Sequence, residues 1–259
     1  MTYARRRAKI YIFQLKDEYM LGIILAGGNG TRFAPEGCCK PLLRINGRYL
    51  IEYSLENLIS MNVEKALIVA GKYRHEIEAA VGSRYRGLSV SYALQEKPVG
   101  VINALYCALP CWNGETVVLQ LSDEVLRGFN AAPAAAADAD FVCGYTLTND
   151  KNAIKENYAV YCEGHGGRLL SCEEKPKAVH NRKKGTGFCV FSPACVSLLR
   201  ERYPDACDHF VTLCDFMNVL IADGKRGFAV PIAEEEININ TKEKLAYAER
   251  VLTEECRNG

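Results

Sequence analysis

Six consecutive residues, Leu21 to Ala26 (LGIILA), run straight into Gly27-Gly28-Asn29-Gly30-Thr31-Arg32. A run without polar alternation has no solvent face, so it suits a strand buried on both sides of a parallel sheet. The three glycines behind it let the backbone turn sharply and bring N–H groups close to an anion. Arg32 adds a planar cation suited to a polyphosphate. Two common phosphate-binding patterns fail here. The third glycine of the dinucleotide fingerprint would fall on Phe33, and no Gly-Lys-Ser/Thr comes after the loop. Taken alone, such a loop is equally well a plain tight turn.

Beyond the loop the chain keeps a strand–helix rhythm. Tyr49 to Met61 has helical spacing, with Ile51, Leu55, Leu58 and Ile59 on one side and Glu52 and Glu56 outside it. Ala66–Ala70 reads as a second buried strand, Glu76–Val81 as a short helix and Leu88–Leu94 as a third strand. Ile102–Leu109 reads as helix and Thr116–Leu121 as a fourth strand. This alternation predicts right-handed βαβ units in a doubly wound, mostly parallel α/β sheet. The second half is less regular. An alanine-rich helix (Ala131–Ala137) precedes a strand at Phe141–Thr146, and Tyr158–Cys162 and Arg168–Cys172 flank Gly164, Gly166 and Gly167 as a hairpin. A strand at Gly187–Phe191, helices at Val196–Arg202 and Phe210–Ala222, strands at Phe228–Ile232 and Glu236–Ile239, and a helix at Lys242–Leu252 complete the reading. Residues 20–259 are expected to form one domain, with 1–19 an extension ahead of it. That extension carries Arg5-Arg6-Arg7 and Lys9 but no small-residue cleavage site.

The charge balance excludes some partners. Thirty-two Lys and Arg against 31 Asp and Glu leave a formal net charge of +1, which favours neither nucleic acid nor an anionic membrane. No apolar run is long enough to span a bilayer. Twelve cysteines without a CxxC pair, several inside apolar strands, behave as small hydrophobes and point to a reducing, cytoplasmic setting. The four histidines lack metal-ligand spacing.

The loop gains meaning from Lys40-Pro41. The stretch LAGGNGTRF…KPLL resembles the opening signature of the sugar-phosphate nucleotidyltransferase family, which includes thymidylyl- and uridylyltransferases of sugar 1-phosphates. Further motifs occur in the family's order: Gln95, Pro98 and Gly100; Leu121-Ser122-Asp123; Glu173 to Pro176; Gly185-Thr186-Gly187; and Asn-Thr at Asn240. The resemblance implies the nucleotide-diphospho-sugar transferase fold, a nucleotide-binding half carrying a sugar-binding half. It also implies a reaction in which a phosphate oxygen of the acceptor attacks the α-phosphorus of a nucleoside triphosphate and pyrophosphate leaves. Mg2+ would be the cofactor, and a sugar 1-phosphate or a similar phosphorylated small molecule the acceptor. Such a nucleophile is already an anion, so alignment and charge neutralisation are needed rather than a general base.

By that resemblance Leu25, Ala26, Gly27, Gly28, Gly30 and Thr31 border the nucleotide, the glycines cradling its triphosphate. Arg32 holds the β and γ portions, and Lys40 sits at the transferring phosphate. Gln95, Pro98 and Gly100 border the base. A glutamine amide suits the imide face of uracil or thymine, which favours UTP or dTTP. Asp123 matches the main magnesium ligand and Asn238 the second, with Asn240 as the alternative in the Asn-Ile-Asn repeat. Tyr158, Ala159, Glu174, Lys175 and Thr186 border the acceptor, Lys175 binding its phosphate. Three positions depart from the pattern: Ala159 replaces a glycine and would narrow the acceptor pocket, Glu124 comes after Asp123 where asparagine is usual, and Arg44 replaces proline. An alternative reading is a cytidylyltransferase for a phosphorylated amino alcohol. A non-catalytic, nucleotide-sugar-binding relative is a third, against which Lys40 and Asp123 both stand. Self-association is left open.

Overall fold

The computed structural model describes residues 20–34, 37–131, 139–203 and 211–258. The expected extension over 1–19, most of the expected alanine-rich helix, and Phe210 lie outside the described residues.

The elements in chain order are β1 (Met20–Ala26), β2 (Arg44–Ile45), β3 (Arg48–Tyr49), α1 (Leu50–Ser60), β4 (Lys65–Ala70), α2 (Arg74–Val81), β5 (Arg84–Tyr85) and β6 (Leu88–Leu94). Then come α3 (Val101–Ala108), β7 (Thr116–Leu121), β8 (Glu124–Arg127), β9 (Phe141–Leu147), α4 (Lys151–Glu156), β10 (Tyr158–Cys162) and β11 (Gly167–Glu174). The chain continues through β12 (Lys183–Phe191), α5 (Pro193–Arg202), α6 (Leu213–Ala222), β13 (Gly227–Pro231), β14 (Glu235–Asn238) and α7 (Lys242–Asn258).

Among the described residues ten strands form one sheet in the order β10-β11-β13-β9-β12-β7-β1-β4-β6-β5. The doubly wound α/β fold expected from the strand–helix alternation is the one observed. Its parallel pairing is concentrated in β7-β1-β4-β6, with β9-β13 as a further parallel pair. Antiparallel pairing dominates the other side, where β10 bends back until Ala159 pairs with Lys184 of β12. The central strand β1 explains its own composition. Leu21, Ile23 and Leu25 pack with α3, α5 and α6 residues such as Ile102, Leu199 and Leu220, whereas Ile24 and Ala26 pack with Ile51, Leu55 and Leu58 of α1. Each fully buried side chain of this size contributes about 1.5–3 kcal/mol.

A third, smaller core matters most for the site. Ile45, Leu50, Val125, Ile237, Ile239 and Ala248 bring β2, α1, β8, β14 and α7 together. It anchors a separate two-stranded ribbon in which β14 pairs antiparallel with β8, Asn238 opposite Glu124. The sequence pattern places a strand at Glu236–Ile239 but assigns it no partner, and it misses β8 altogether. It also misses α4, whose start is set by Asp150: the carboxylate accepts from the backbone N–H of Asn152 (2.9 Å) and Ala153 (3.2 Å). The hairpin β10–β11 forms where the glycines predict it, Gly164 and Gly166 both adopting positive φ.

Candidate nucleotide and acceptor site

A cleft of about 290 Å³ opens beside the carboxyl ends of β1, β6 and β7, where open α/β sheets gather ligands. Leu25, Ala26, Gly27 and Gly28 line it from β1 and its loop, with Arg32 beyond. Lys40 and Pro41 enter further along that connection, Gln95, Pro98 and Gly100 from the end of β6, and Asp123 and Asn238 from β7 and β14. Residues separated by more than two hundred positions therefore share one wall. Gly30 and Thr31 do not line it.

Glycine is required in the loop for identifiable reasons. A Cβ at Gly27 would overlap Oε1 of Gln95. Gly30 is buried at φ +69°, and a side chain there would press on the Cys38 carbonyl. The Gly30 carbonyl accepts from the N–H groups of Phe33 and Ala34, each at 3.0 Å, and Cys38 N donates to the Asn29 carbonyl at 3.2 Å. These bonds lash the loop to the segment that delivers Lys40.

Lys40 opens a single 3-10 turn, Lys40–Leu42, and is only 6% exposed. Its ammonium donates to Asp123 Oδ2, to Asn240 Oδ1 at 2.9 Å and to the Ile239 carbonyl at 3.3 Å. Three acceptors match the three N–H bonds of the ammonium, so no donor of this buried group is left without a partner. The two asparagines of the Asn-Ile-Asn repeat are thereby separated. Asn240 holds Lys40, whereas Asn238 lines the cleft with a buried Oδ1 that has no hydrogen-bond partner.

Glu124 is buried beside Asp123, and its Oε2 accepts from Gly187 N at 2.8 Å. Burial, reinforced by the Glu236 and Asp123 carboxylates, pushes its carboxyl well above the usual range. Lys184 makes an ion pair with Glu236 and donates to the Glu236 carbonyl at 2.8 Å, tying β12 to the ribbon. Sequence pattern gives neither Glu124 nor this pair a role in the site. Only the Glu124 departure from asparagine signals it.

The residues expected around the acceptor divide in two. Tyr158, Ala159 and Thr186 are buried. Tyr158 donates to the Thr186 carbonyl at 2.7 Å, and Thr186 Oγ1 donates to the Gly144 carbonyl at 3.1 Å. Ala159 is fully buried between Glu173 and Lys184. Its methyl is enclosed by protein and lines no part of the cleft. Glu174 and Lys175 are exposed at the end of β11, outside the cleft. Lys175 holds φ +44°, uncommon for a lysine, with its N–H on the Asn157 carbonyl at 2.8 Å. Partial burial raises the Glu174 carboxyl, against the pull of Lys175.

Among the described residues no group of three or more His, Cys, Asp or Glu could hold a metal ion. A cation here would instead meet one carboxylate, Asp123, and the orphaned Asn238 oxygen. Both are hard oxygen donors that suit magnesium when substrate phosphates complete the shell. Among the described residues no helix is long and apolar enough to cross a membrane.

Known proteins resemble this chain in sequence and in fold. The profile of the nucleotidyl transferase family matches residues 21–233. A glucose-1-phosphate thymidylyltransferase of Actinoplanes sp. is 29% identical over 196 residues, 72% of this chain and 63% of that protein. The low-salt glycan biosynthesis nucleotidyltransferase Agl11 of Haloferax volcanii is 26% identical over 79% of this chain and 58% of its own length. The chain thus spans less than two thirds of both relatives. The UTP–glucose-1-phosphate uridylyltransferase AglF of Haloferax volcanii is 25% identical over 91% of this chain and 98% of its own. Among solved structures, UDP-glucose pyrophosphorylase complexed with UDP-glucose superposes with a TM-score of 0.78 at 16% identity, covering 92% of this chain and 99% of that one. The inositol-1-phosphate CTP transferase from T. maritima gives 0.75 at 16% identity, covering 91% and 96%. At these identities the structural likeness speaks for the fold.

Proposed function

The chain belongs to the nucleotidyl transferase family, and on that premise we propose that it couples UTP or dTTP to a sugar 1-phosphate, releasing pyrophosphate. The observation that carries the reading is the convergence of the glycine loop, Arg32, Lys40, Gln95, Asp123 and Asn238 on one cleft. The relatives that are thymidylyl- and uridylyltransferases of glucose 1-phosphate favour the same substrate class.

The chemistry asks little of the protein beyond charge and alignment. The attacking phosphate oxygen is anionic at neutral pH, which fits a cleft lined by cations and one carboxylate rather than by an acid/base pair. Backbone N–H groups around Gly28 would face the triphosphate, Arg32 its outer phosphates and Lys40 the transferring one. Asp123 and Asn238 would hold a magnesium ion. When bound, that ion supplies electrostatic neutralisation of the phosphates. Glu174 and Lys175 would receive the acceptor's hydroxyls and phosphate at the exposed end of β11.

The roles of the two asparagines give separable outcomes. Asn238→Ala raises the magnesium concentration for half-maximal turnover by about tenfold. Asn240→Ala removes an acceptor from Lys40, so turnover falls at saturating magnesium with little change in that concentration. A magnesium titration of pyrophosphate release reads both, and the reverse pattern would exchange the assignments.

Base preference rests on Gln95. An amide oxygen accepts from the imide N–H of uracil or thymine, whereas cytosine presents an unprotonated N3. A mismatch of buried polar groups costs about 1–3 kcal/mol. UTP or dTTP therefore exceeds CTP by at least about tenfold in kcat/KM. Pyrophosphate release across a triphosphate and acceptor panel tests the whole reading. Preference for CTP with a phosphorylated amino alcohol would replace it by the cytidylyl alternative.

A further inference from the structure

Gln95 reaches the cleft in a single, legible orientation. Its Nε2 donates to Asn103 Oδ1 at 2.6 Å and to the Gly100 carbonyl at 3.3 Å. A backbone carbonyl can only accept, so the NH2 end of the amide must point toward Gly100. Oε1 lies over Gly27, where a Cβ would overlap it, and Gly27 itself lines the cleft. Gln95 is 3% exposed and Asn103, on the first turn of α3, is 2% exposed. Asn103 does not line the cleft, although its helix contributes Val101 and Ala104 to it.

We propose that Asn103 sets base selectivity by locking the Gln95 amide, its NH2 turned into the protein and its carbonyl oxygen left on the side of the base. This rests on the reading of Gln95 as the base-facing residue. A glutamine amide is nearly symmetric in shape but opposite in hydrogen bonding at its two ends. Locked as observed, Gln95 presents an acceptor, which fits an imide N–H and opposes the lone pair on cytosine N3. Released, it turns over and presents a donor to that same N3. Asn103 is thus a positioning residue: it touches no substrate and acts through Gln95. The Gly100 bond alone is a weaker latch, being longer and shared with Ala104 N, which donates to the same carbonyl at 3.2 Å.

The experiment compares kcat/KM for UTP, dTTP and CTP in the wild type, Asn103→Ala, Asn103→Asp and Gln95→Ala. Equilibrium binding of UTP and CTP without acceptor is measured alongside. Asn103→Ala should lower the UTP-to-CTP ratio by about tenfold, chiefly by improving CTP. Asn103→Asp keeps an acceptor oxygen against Nε2 and should hold the ratio within about threefold of wild type. A folded Asn103→Ala protein with the wild-type ratio overturns the proposal, as does an Asn103→Asp protein that loses the ratio as fully as the alanine variant. Gln95→Ala separates the two levels. A collapsed ratio there with an intact ratio in Asn103→Ala removes only the role of Asn103, whereas an unchanged ratio in Gln95→Ala removes the base reading itself. Should the alanine variant not fold, the wild type still decides. The Gln95 side-chain amide protons, assigned by their loss in Gln95→Ala, should exchange slowly with solvent, and exchange at the rate of a surface glutamine overturns the lock.

Discussion

Replacing Asp123 with alanine should lower pyrophosphate release by on the order of 10³-fold, with a melting temperature close to that of the wild type. Asp123 is the one carboxylate among the described residues lining the cleft. The other proposed ligand, Asn238, is neutral, so losing Asp123 removes the one carboxylate that a divalent ion would meet in the cleft. Stability should suffer little because the Asp123 side chain is 23% exposed and Lys40 keeps two further acceptors, Asn240 and the Ile239 carbonyl. Asp123→Asn isolates the charge: it retains the shape and one oxygen, and should fall between alanine and wild type. A magnesium-saturated Asp123→Ala enzyme turning over at near-normal rate would remove Asp123 from the proposed metal site.

Local pattern makes the first half of the chain legible. The unbroken apolar run at Leu21–Ala26 is buried on both faces of the sheet, and the period of Tyr49–Met61 marks a helix that buries one side, so their composition reports their environment directly. The glycine loop and Lys40-Pro41 are readable because their spacing matches a family signature, and the family match over 21–233 bears that resemblance out. What stays hidden is non-local. β8 and β14 are four-residue strands about a hundred positions apart, and among the described residues each pairs with the other alone. Nothing in EVLR announces a partner in EEIN. That pairing aims Asn238 into the cleft and Asn240 at Lys40, so the register of Asn-Ile-Asn could not be read from the sequence. Asn103 is hidden for a related reason. In VINALYCA it sits in a helix otherwise rich in apolar residues, and its purpose appears only once Gln95 is folded against it.

Lys40→Met should lower turnover by on the order of 10²–10³-fold, and it should do so differently from Asp123→Ala. The methionine keeps an apolar stem of similar length, so the packing around a 6% exposed side chain is largely retained. What is lost is the cation proposed to lie beside the transferring phosphate, and the donor that satisfies Asp123, Asn240 and the Ile239 carbonyl. Because Asp123 lines a cleft that water can enter and Asn240 is half-buried, leaving the Ile239 carbonyl as the sealed acceptor, the cost in stability is about 1–3 kcal/mol. Lys40→Arg should not rescue activity. A planar guanidinium cannot place three N–H bonds into a cradle shaped for one compact ammonium. The distinguishing measurement is manganese binding by titration calorimetry without nucleotide. Asp123→Ala should lose it, whereas Lys40→Met frees the Asp123 carboxylate from a competing cation and should bind manganese at least as tightly as the wild type. Loss of manganese binding in Lys40→Met would show that Lys40 organises the metal site, and turnover above about a tenth of wild type would remove it from the proposed transfer step.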